Sequence, residues 1–420
     1  MDLWQAIGRS LAPDDGLYMP ERLPYIPAAF FNNLGDLKLG EIGYVVGNTL
    51  FGDEIDSRTL KDIVCQSLNF EIPLRQIEDN IFALELYGGP SLSVKDTSVR
   101  IMAKFVEYYI ANGKLEGMVN VIAATSGDTG AAVAKAFADV KEVNAYILYP
   151  EGQLSKFQEH QLSSAGSNII PVAVSGSYDQ CRELAHQALS DKDINDRMTL
   201  ISANSINIAR LMPQMLFYYW AYSLLLNKLG HKRVDHNLVF SVPCGNLGNV
   251  CAGIIAEKMG LPSKRIIAAN NDRDSFMKFH NGQAEISKQI EKAVDAASFH
   301  LPTNISRLLN LLDNDIDSVK KMLLSSSWSD TDVWEAISDI NNRCGCVVDP
   351  HGATCYLSLK RSLAPDEVGV FLVPANPLKY REDILKHTGI DIPQQAWGEQ
   401  VRKPTRMPPT LSALKRVLFK

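Results

Sequence analysis

The sequence has no excess of positive charge, no membrane-length apolar run, no cysteine framework, no internal repeat and no low-complexity tract. Its 42 Lys and Arg face 48 Asp and Glu, for a net charge of −6, and no basic block precedes the short, proline-containing tail that begins at Arg402. A phosphate-backbone partner such as nucleic acid is therefore not expected. Leu211 to Leu226 is the most apolar stretch, but Pro213 and Gln214 interrupt it and it is too short to cross a bilayer. It predicts a buried helix. The N-terminus has no basic start followed by an apolar core, so no signal peptide is expected. The seven cysteines, Cys65, Cys181, Cys244, Cys251, Cys344, Cys346 and Cys355, are odd in number and follow no framework spacing. That usage points to a reducing cytosol. Cys344-Gly345-Cys346 lacks the two-residue gap of a zinc half-site, so buried thiols are expected and no metal. A soluble, cytoplasmic, globular chain is left, and 420 residues at 46% hydrophobic and 21% charged suffice for two or three domains.

What the sequence does contain is strands alternating with helices. Asp14 to Pro20 reads as a turn into a short extended segment, Phe30 to Leu50 as helical around Gly35 and Gly40, and Asp56 to Leu68 as an amphipathic helix. With the strand expected at Ile81 to Leu86, these make an N-terminal domain over 1–85. Short apolar strands follow at Val119–Ala124, Val143–Tyr149, Ile169–Val174, Leu238–Val242 and Arg265–Ala269, with helical stretches between them. That alternation predicts crossover units and a parallel sheet. One long helix is expected over Ala209 to Leu229, and the polar section Asp274 to Ser327 reads as helical and mobile. Strand and helix patterns resume at Val347 and Val368. The remaining domains are expected over 86–210, small, and 211–420, large and including the tail.

Three stretches carry chemistry. Lys95 ends the turn Gly88-Gly89-Pro90-Ser91-Leu92-Ser93-Val94, which leads into a helix expected from about Thr97 to Asn112. A cation is not favoured at the positive end of a helix, so this lysine either reaches into solvent or serves as a neutral amine. A neutral amine is the form that makes a Schiff base, and a helix N-terminus favours it. Thr125-Ser126-Gly127-Asp128-Thr129-Gly130 and Gly245-Asn246-Leu247-Gly248-Asn249 each lie between a strand and a helix, where backbone N–H groups can hold an anion. Gly245 and Gly248 permit close approach of a phosphate, with Asn246 and Asn249 as side-chain donors; plain strand-to-helix packing would use the same turn. The hydroxyls of Thr125, Ser126 and Thr129 with Gly127 suit a carboxylate, and Thr125 or Ser126 equally suits a helix cap. Asp128 is expected to point away from any anion. One amine and two anion sites suggest an aldehyde cofactor with a phosphate and an amino-acid substrate with a carboxylate.

The order of these stretches resembles the fold-type II pyridoxal-phosphate enzymes and, within them, the threonine synthase family. Asp15-Gly16-Leu17-Tyr18-Met19-Pro20, Leu148-Tyr149-Pro150, Asn204-Ser205-Ile206-Asn207-Ile208-Ala209-Arg210 and Asp349-Pro350-His351 resemble that family's landmarks in the same order. The resemblance implies a tryptophan synthase β-like α/β architecture: two open, mostly parallel sheets flanked by helices, plus an N-terminal region. It implies pyridoxal 5'-phosphate as cofactor, bound as a Schiff base by Lys95, with Gly245, Asn246, Leu247, Gly248 and Asn249 around its phosphate. Thr125, Ser126, Gly127, Asp128 and Thr129 are implied at the substrate carboxylate. Asn204, Asn207 and Arg210 are implied near the substrate phosphate, and for Arg210 a structural ion pair is the other reading. The implied activity is conversion of O-phosphohomoserine and water to threonine and phosphate, by a monomer or homodimer with no nucleic-acid or membrane partner.

Several motifs depart from the family. Val94 stands where Phe usually precedes the lysine. Pro374-Ala375-Asn376-Pro377-Leu378-Lys379-Tyr380 replaces Thr-Ala-His-Pro-Ala-Lys-Phe, so the threonine expected at the pyridine nitrogen is a proline and Asn376 becomes the candidate donor. Gly352 follows Asp349-Pro350-His351 where the family has Thr, Ser298-Phe299-His300-Leu301 replaces Ser-Met-Asp-Ile, and Thr303-Asn304-Ile305-Ser306-Arg307 replaces Ser-Asn-Phe-Glu-Arg. Two alternatives follow: a paralogue acting by elimination or replacement on another phosphorylated or activated amino acid, or a non-catalytic anion-binding protein on a similar sheet. An intact Lys95 argues against the second.

Overall fold

The computed structural model describes residues 1–271, 302–322, 326–393 and 402–420. Among these the strands are β1 (Leu74–Glu78), β2 (Ile81–Glu85), β3 (Val119–Ala124), β4 (Val143–Pro150), β5 (Ile169–Val174), β6 (Thr199–Ser202), β7 (Leu238–Pro243), β8 (Ser263–Asn271), β9 (Ser326–Trp328), β10 (Val368–Val373) and β11 (Thr405–Met407). They form two sheets, in the orders β11-β5-β4-β3-β6 and β1-β2-β10-β7-β8-β9. Every ladder is parallel except β1 with β2. The chain divides into two units, one of Met1–Tyr18, Lys95–Arg210 and Gln395–Lys420, the other of Met19–Val94 and Leu211–Gln394.

The first unit is built on the five-stranded sheet. β3 is buried along its whole length, the pattern of a parallel strand covered on both faces. Ala124 pairs with Leu148, so β3 hands over to the Thr125 turn at the carboxyl end of the sheet. The tail is part of this unit rather than an appendage. Arg402 donates to the carbonyls of Ser167 and Ile169, and β11 then extends the sheet beyond β5. The helix Leu411–Leu418 buries Leu414, Val417 and Leu418 in the core that Leu184 and Ala188 also line. At the other terminus the helix Leu3–Arg9 is fastened by Ser10, whose hydroxyl accepts from the Ser202 amide at 2.8 Å.

In the second unit, Ile337, Ile340, Tyr356 and Leu359 share a core with Ala83, Val239, Ile267 and Phe371 of the sheet. A fully buried side chain of this size contributes about 1.5–3 kcal/mol. The helix Asp330–Cys344 starts in a Ser329–Asp332 capping box, and Gly345, in the left-handed region, follows its end. The helix Pro350–Ser362 is capped by Asp349, with proline at its first position.

This division differs from the expected 1–85, 86–210 and 211–420. β1 and β2 join the large sheet through β10, while residues 1–18 and the tail belong with 95–210, so 1–85 is not one unit. The long helix expected over Ala209 to Leu229 is also broken: Ile208–Leu211, a 3₁₀ turn over Met212–Met215, then Leu216–Leu229. Pro213 cannot supply the backbone donor that a continuous helix needs there. No strand forms at Val347, where the chain has no regular secondary structure from Cys346 to Asp349. Of the section expected to be helical and mobile, residues 274–301 and 323–325 lie outside the described residues. Ile305–Leu311 and Ile316–Met322 are helical and β9 is a strand. Among the described residues no helix is long and apolar enough to cross a membrane.

Candidate active site

The turn before Lys95 is held from the far end of the second unit's chain. Leu92 accepts from the Asn376 amide at 3.0 Å, and the Val94 amide donates to the Pro374 carbonyl at 2.7 Å. Ser93 bridges antiparallel to Ala375 between these two bonds. The structure thus puts the lysine turn beside the segment that departs from the family pattern. Leu92 itself lies at φ 59°, a strained region for leucine that persists only where neighbours fix it. Asp349 braces the same segment: its fully buried carboxylate accepts from the Ala375 amide at 3.3 Å and caps the helix Pro350–Ser362. Burial pushes its pKa up to about 6. Asn376 already accepts from the Leu378 amide through its side-chain oxygen, which leaves its NH₂ end as the possible donor. Lys95 is the first residue of the helix Lys95–Ala111, two residues earlier than expected, and is half-buried.

The Gly245–Asn249 turn follows β7 in the second unit. Its helix, Gly248–Lys258, has Leu247 as N-cap at φ 58°, and that apolar side chain makes no capping bond. A non-glycine residue in this region costs about 1–2 kcal/mol. The first bond along the helix runs from the Cys251 amide to the Leu247 carbonyl, so the N–H groups before it have no partner within the helix. A Cβ added at Gly245 would meet none of the described residues within 4 Å. An uncapped helix start beside open space fits an anion of phosphate size. The asparagines do other work than expected. Asn246 Oδ1 accepts from the Thr303 amide at 2.6 Å, and Asn249 Oδ1 accepts from the Tyr218 hydroxyl at 3.2 Å. They shape the turn from behind.

In the first unit the Thr125 turn is likewise built from its own side chains. Thr125 is buried, and its Oγ1 accepts from the amides of Gly127 and Gly130, both at 2.9 Å, so it organises the turn instead of facing a ligand. Gly127 lies at φ 135°, and a Cβ there would be 2.3 Å from Gln158 Nε2. Gly130 has no room either, with Thr125 Cγ2 2.6 Å from its would-be Cβ. Ser126 is exposed, and Asp128 and Thr129 are half-buried at the start of the helix Asp128–Phe137. Ser126 is therefore the hydroxyl of this turn best placed to meet a carboxylate.

Asn204, Asn207 and Arg210 are bound within the protein rather than presented to a ligand. Asn204 pairs with both backbone groups of Ala124, accepting from its amide at 2.9 Å and donating to its carbonyl at 2.8 Å, and so fixes the entry to the Thr125 turn. Asn207 is fully buried; it donates to the Ile7 carbonyl and Ser10 hydroxyl and accepts from the Ala209 amide. Arg210 is buried as well. It donates from Nε to Ser98 Oγ at 2.9 Å and from Nη1 to the Ala203 carbonyl. Burial pulls its pKa down to about 10 while the nearby Asp96 carboxylate opposes the fall. These bonds, with the Asp96 carboxylate nearby, hold the side chain within the protein.

Asn304 and Arg307, the two positions at which Thr303-Asn304-Ile305-Ser306-Arg307 keeps the family's residues and to which sequence reasoning gave no role, prove to be attached to the Gly245 turn. Asn304 Nδ2 donates to the Asn246 carbonyl at 2.8 Å, and Arg307 Nη1 donates to Asn304 Oδ1 at 2.8 Å. Gln214, read as an interruption, has its Nε2 3.5 Å from the Cβ position of Gly248. The one signal available was an arginine three residues after an asparagine in an otherwise apolar helical run. Cys344 and Cys346 are half-buried rather than buried, with their sulfurs 2.9 Å apart.

A family model described as pyridoxal-phosphate dependent enzyme matches residues 68–375, and one described as threonine synthase N terminus matches residues 1–68. The chain is 35% identical over 390 residues to the threonine synthase of Haemophilus influenzae, covering 93% of this chain and 89% of that protein. Its structure is similar to the crystal structure of threonine synthase from Escherichia coli, with a TM-score of 0.88 and 31% identity over 100% of this chain and 96% of that one. It is also similar to the PLP-bound threonine synthase from Brucella melitensis, with a TM-score of 0.87 and 25% identity over 100% and 96% of the two chains.

Proposed function

This chain belongs to the threonine synthase family of pyridoxal-phosphate dependent enzymes, and on that premise we propose that it converts O-phosphohomoserine and water to threonine and phosphate. The observation that carries the reading is the strained lysine turn pinned by backbone bonds to Pro374–Asn376, which fixes where the chain presents Lys95. Pyridoxal phosphate, when bound, supplies an aldehyde and a ring that draws electrons from the carbon next to the amino group. Lys95 Nζ would hold that aldehyde, and the N–H groups from Leu247 to Val250, which have no partner within the helix, would hold the phosphate. Ser126 and the start of the helix Asp128–Phe137 would hold the substrate carboxylate. With the substrate amine bound to the cofactor, Lys95 Nζ would be the base that takes the proton from Cα and carries protons between the neighbouring carbons, for loss of the γ-phosphate and addition of water. Thr125, Asn204 and Asn207 are positioning residues in this scheme. A reducing cytosol is the compartment this reading assumes.

The test is incubation of the purified protein with O-phosphohomoserine while phosphate and threonine are both followed; equal release of the two is expected. Phosphate with a different amino-acid or keto-acid product would favour the paralogue. Pro374 gives that second reading its footing, since it has no hydroxyl for a ring nitrogen and its carbonyl is spent on Val94. If Asn376 takes over that task, Pro374→Thr changes turnover by less than about tenfold, or 1.4 kcal/mol in the barrier. A variant that gains threonine synthesis absent from the parent would establish the paralogue.

A further inference from the structure

We infer that Arg307 is a positioning residue for the cofactor-phosphate turn: through Asn304 it orients the Asn246–Leu247 peptide so that its N–H faces the anion. The inference rests on the reading of Gly245–Asn249 as the phosphate site. Arg307 lies on the helix Ile305–Leu311 with 1% of its surface exposed, among the largest fully buried side chains of the protein. A guanidinium can only donate, and its Nη1 donates to Asn304 Oδ1 at 2.8 Å. That bond decides which end of the Asn304 amide is oxygen. An amide without such a neighbour can turn over, because its two ends are nearly the same shape. With the oxygen facing Arg307, the NH₂ end must face the Asn246 carbonyl, 2.8 Å away.

The consequence reaches the turn through elementary peptide geometry. In a trans peptide the C=O and the following N–H point in opposite directions, and the described chain contains no cis peptide. Turning the Asn246 carbonyl toward Asn304 therefore turns the Leu247 N–H away from Asn304, to the side where the proposed anion would sit. The Asn246 side chain is held from the same place, by the Thr303 amide at 2.6 Å. These two attachments hold Leu247 at φ 58°, a conformation leucine does not keep unaided. Burial draws the Arg307 pKa down to about 10, which still leaves it charged at neutral pH.

The experiment titrates the full-length chain, stripped of cofactor, with pyridoxal 5'-phosphate and with pyridoxal, the same aldehyde without the phosphate. Binding is followed by absorbance in the wild type and in Arg307→Met, Arg307→Gln and Asn304→Ser. Arg307→Met and Asn304→Ser are expected to weaken the phosphate ester at least about tenfold, the scale of one hydrogen bond to a charged group. Pyridoxal binding should change by less than about threefold, since it makes no use of the turn. Glutamine can still donate to Asn304 Oδ1, so Arg307→Gln should restore most of the preference. Arg307→Met added to Asn304→Ser should bring no further loss, because the two act in one chain. Parallel loss of both ligands, an unchanged ratio, or a glutamine variant as poor as methionine would each overturn the inference. If Arg307→Met does not fold, Asn304→Ser decides alone. A wild type with no preference for the phosphate ester would instead overturn the reading of the turn itself.

Discussion

The two glycine turns do the same topological job, strand to helix, by opposite means. In the Thr125 turn the side chain is part of the turn: Thr125 Oγ1 accepts from Gly127 and Gly130, and Gln158 fills the space a Cβ would need at Gly127. In the Gly245 turn Leu247 offers no side-chain cap, a Cβ at Gly245 would meet no described residue within 4 Å, and Thr303, Asn304 and Tyr218 brace the turn from outside it. The first can be sprung by adding one methyl group. The second accepts added volume but not added charge. A strand–turn–helix unit thus offers either a specific hydroxyl or bare backbone, depending on whether its bracing lies inside the turn or behind it.

The largest effect should come from the amine that the proposed chemistry needs. Lys95→Ala is expected to lose the borohydride-reducible absorbance of the bound cofactor and to lower turnover by at least about 10²–10⁴-fold, measured by product release. Gly248→Asp comes next. Among the described residues the nearest groups to a Cβ there are the amides of Asn304 and Gln214, at 3.5 Å, so the variant should fold, while its charge opposes the phosphate at a cost of several kcal/mol. Equilibrium dialysis of the cofactor checks this, and undiminished retention would mean that the turns are assigned wrongly. Gly127→Ala and Gly245→Ala then set the two turns side by side in thermal or urea unfolding. The first is expected to lose about 1–3 kcal/mol through strain at φ 135° and the collision with Gln158, the second less than about 0.5 kcal/mol. Ser126→Ala should leave cofactor binding intact and weaken kcat/KM by about 1–3 kcal/mol, the loss of one hydrogen bond to a charged group.

A pH-dependent effect is expected from Asp349 behind the lysine turn. Its pKa of about 6 in the folded chain lies above the ordinary 3.8, so between those values the folded state binds more protons than the unfolded one. Stability from this group therefore falls as pH rises through that window, by at most about 1.4 kcal/mol per pH unit. Asp349→Asn keeps an oxygen to cap the helix and should flatten that slope. Glu367 runs the other way. Burial would raise its pKa, but hydrogen bonds from Arg265, the Ala364 amide and Lys264 hold it at about 2, so its contribution is lost only as pH falls below about 4.5. Urea midpoints of wild type and Asp349→Asn from pH 4 to 7 separate the two.

Strand and turn patterns were readable because they are local. Val119–Ala124 and Ile169–Val174 form strands over the residues that their apolar runs predict, and both glycine turns lie between a strand and a helix. Sequence by itself also determined the class of chemistry, since an amine and two backbone anion sites in that order suit few cofactors. Only the tertiary structure decided what the polar side chains do. Asn204 reaches Ala124 across 80 residues, Asn207 reaches Ile7 across 200, and Asn304 reaches Asn246 across 58. Asn204 and Asn207 looked like ligand donors, and Asn304 had no role, while their partners were unknown. The physical reason is that an asparagine or arginine satisfies its hydrogen bonds equally well with a ligand or with a distant backbone group, and only the fold brings that backbone group within 3 Å.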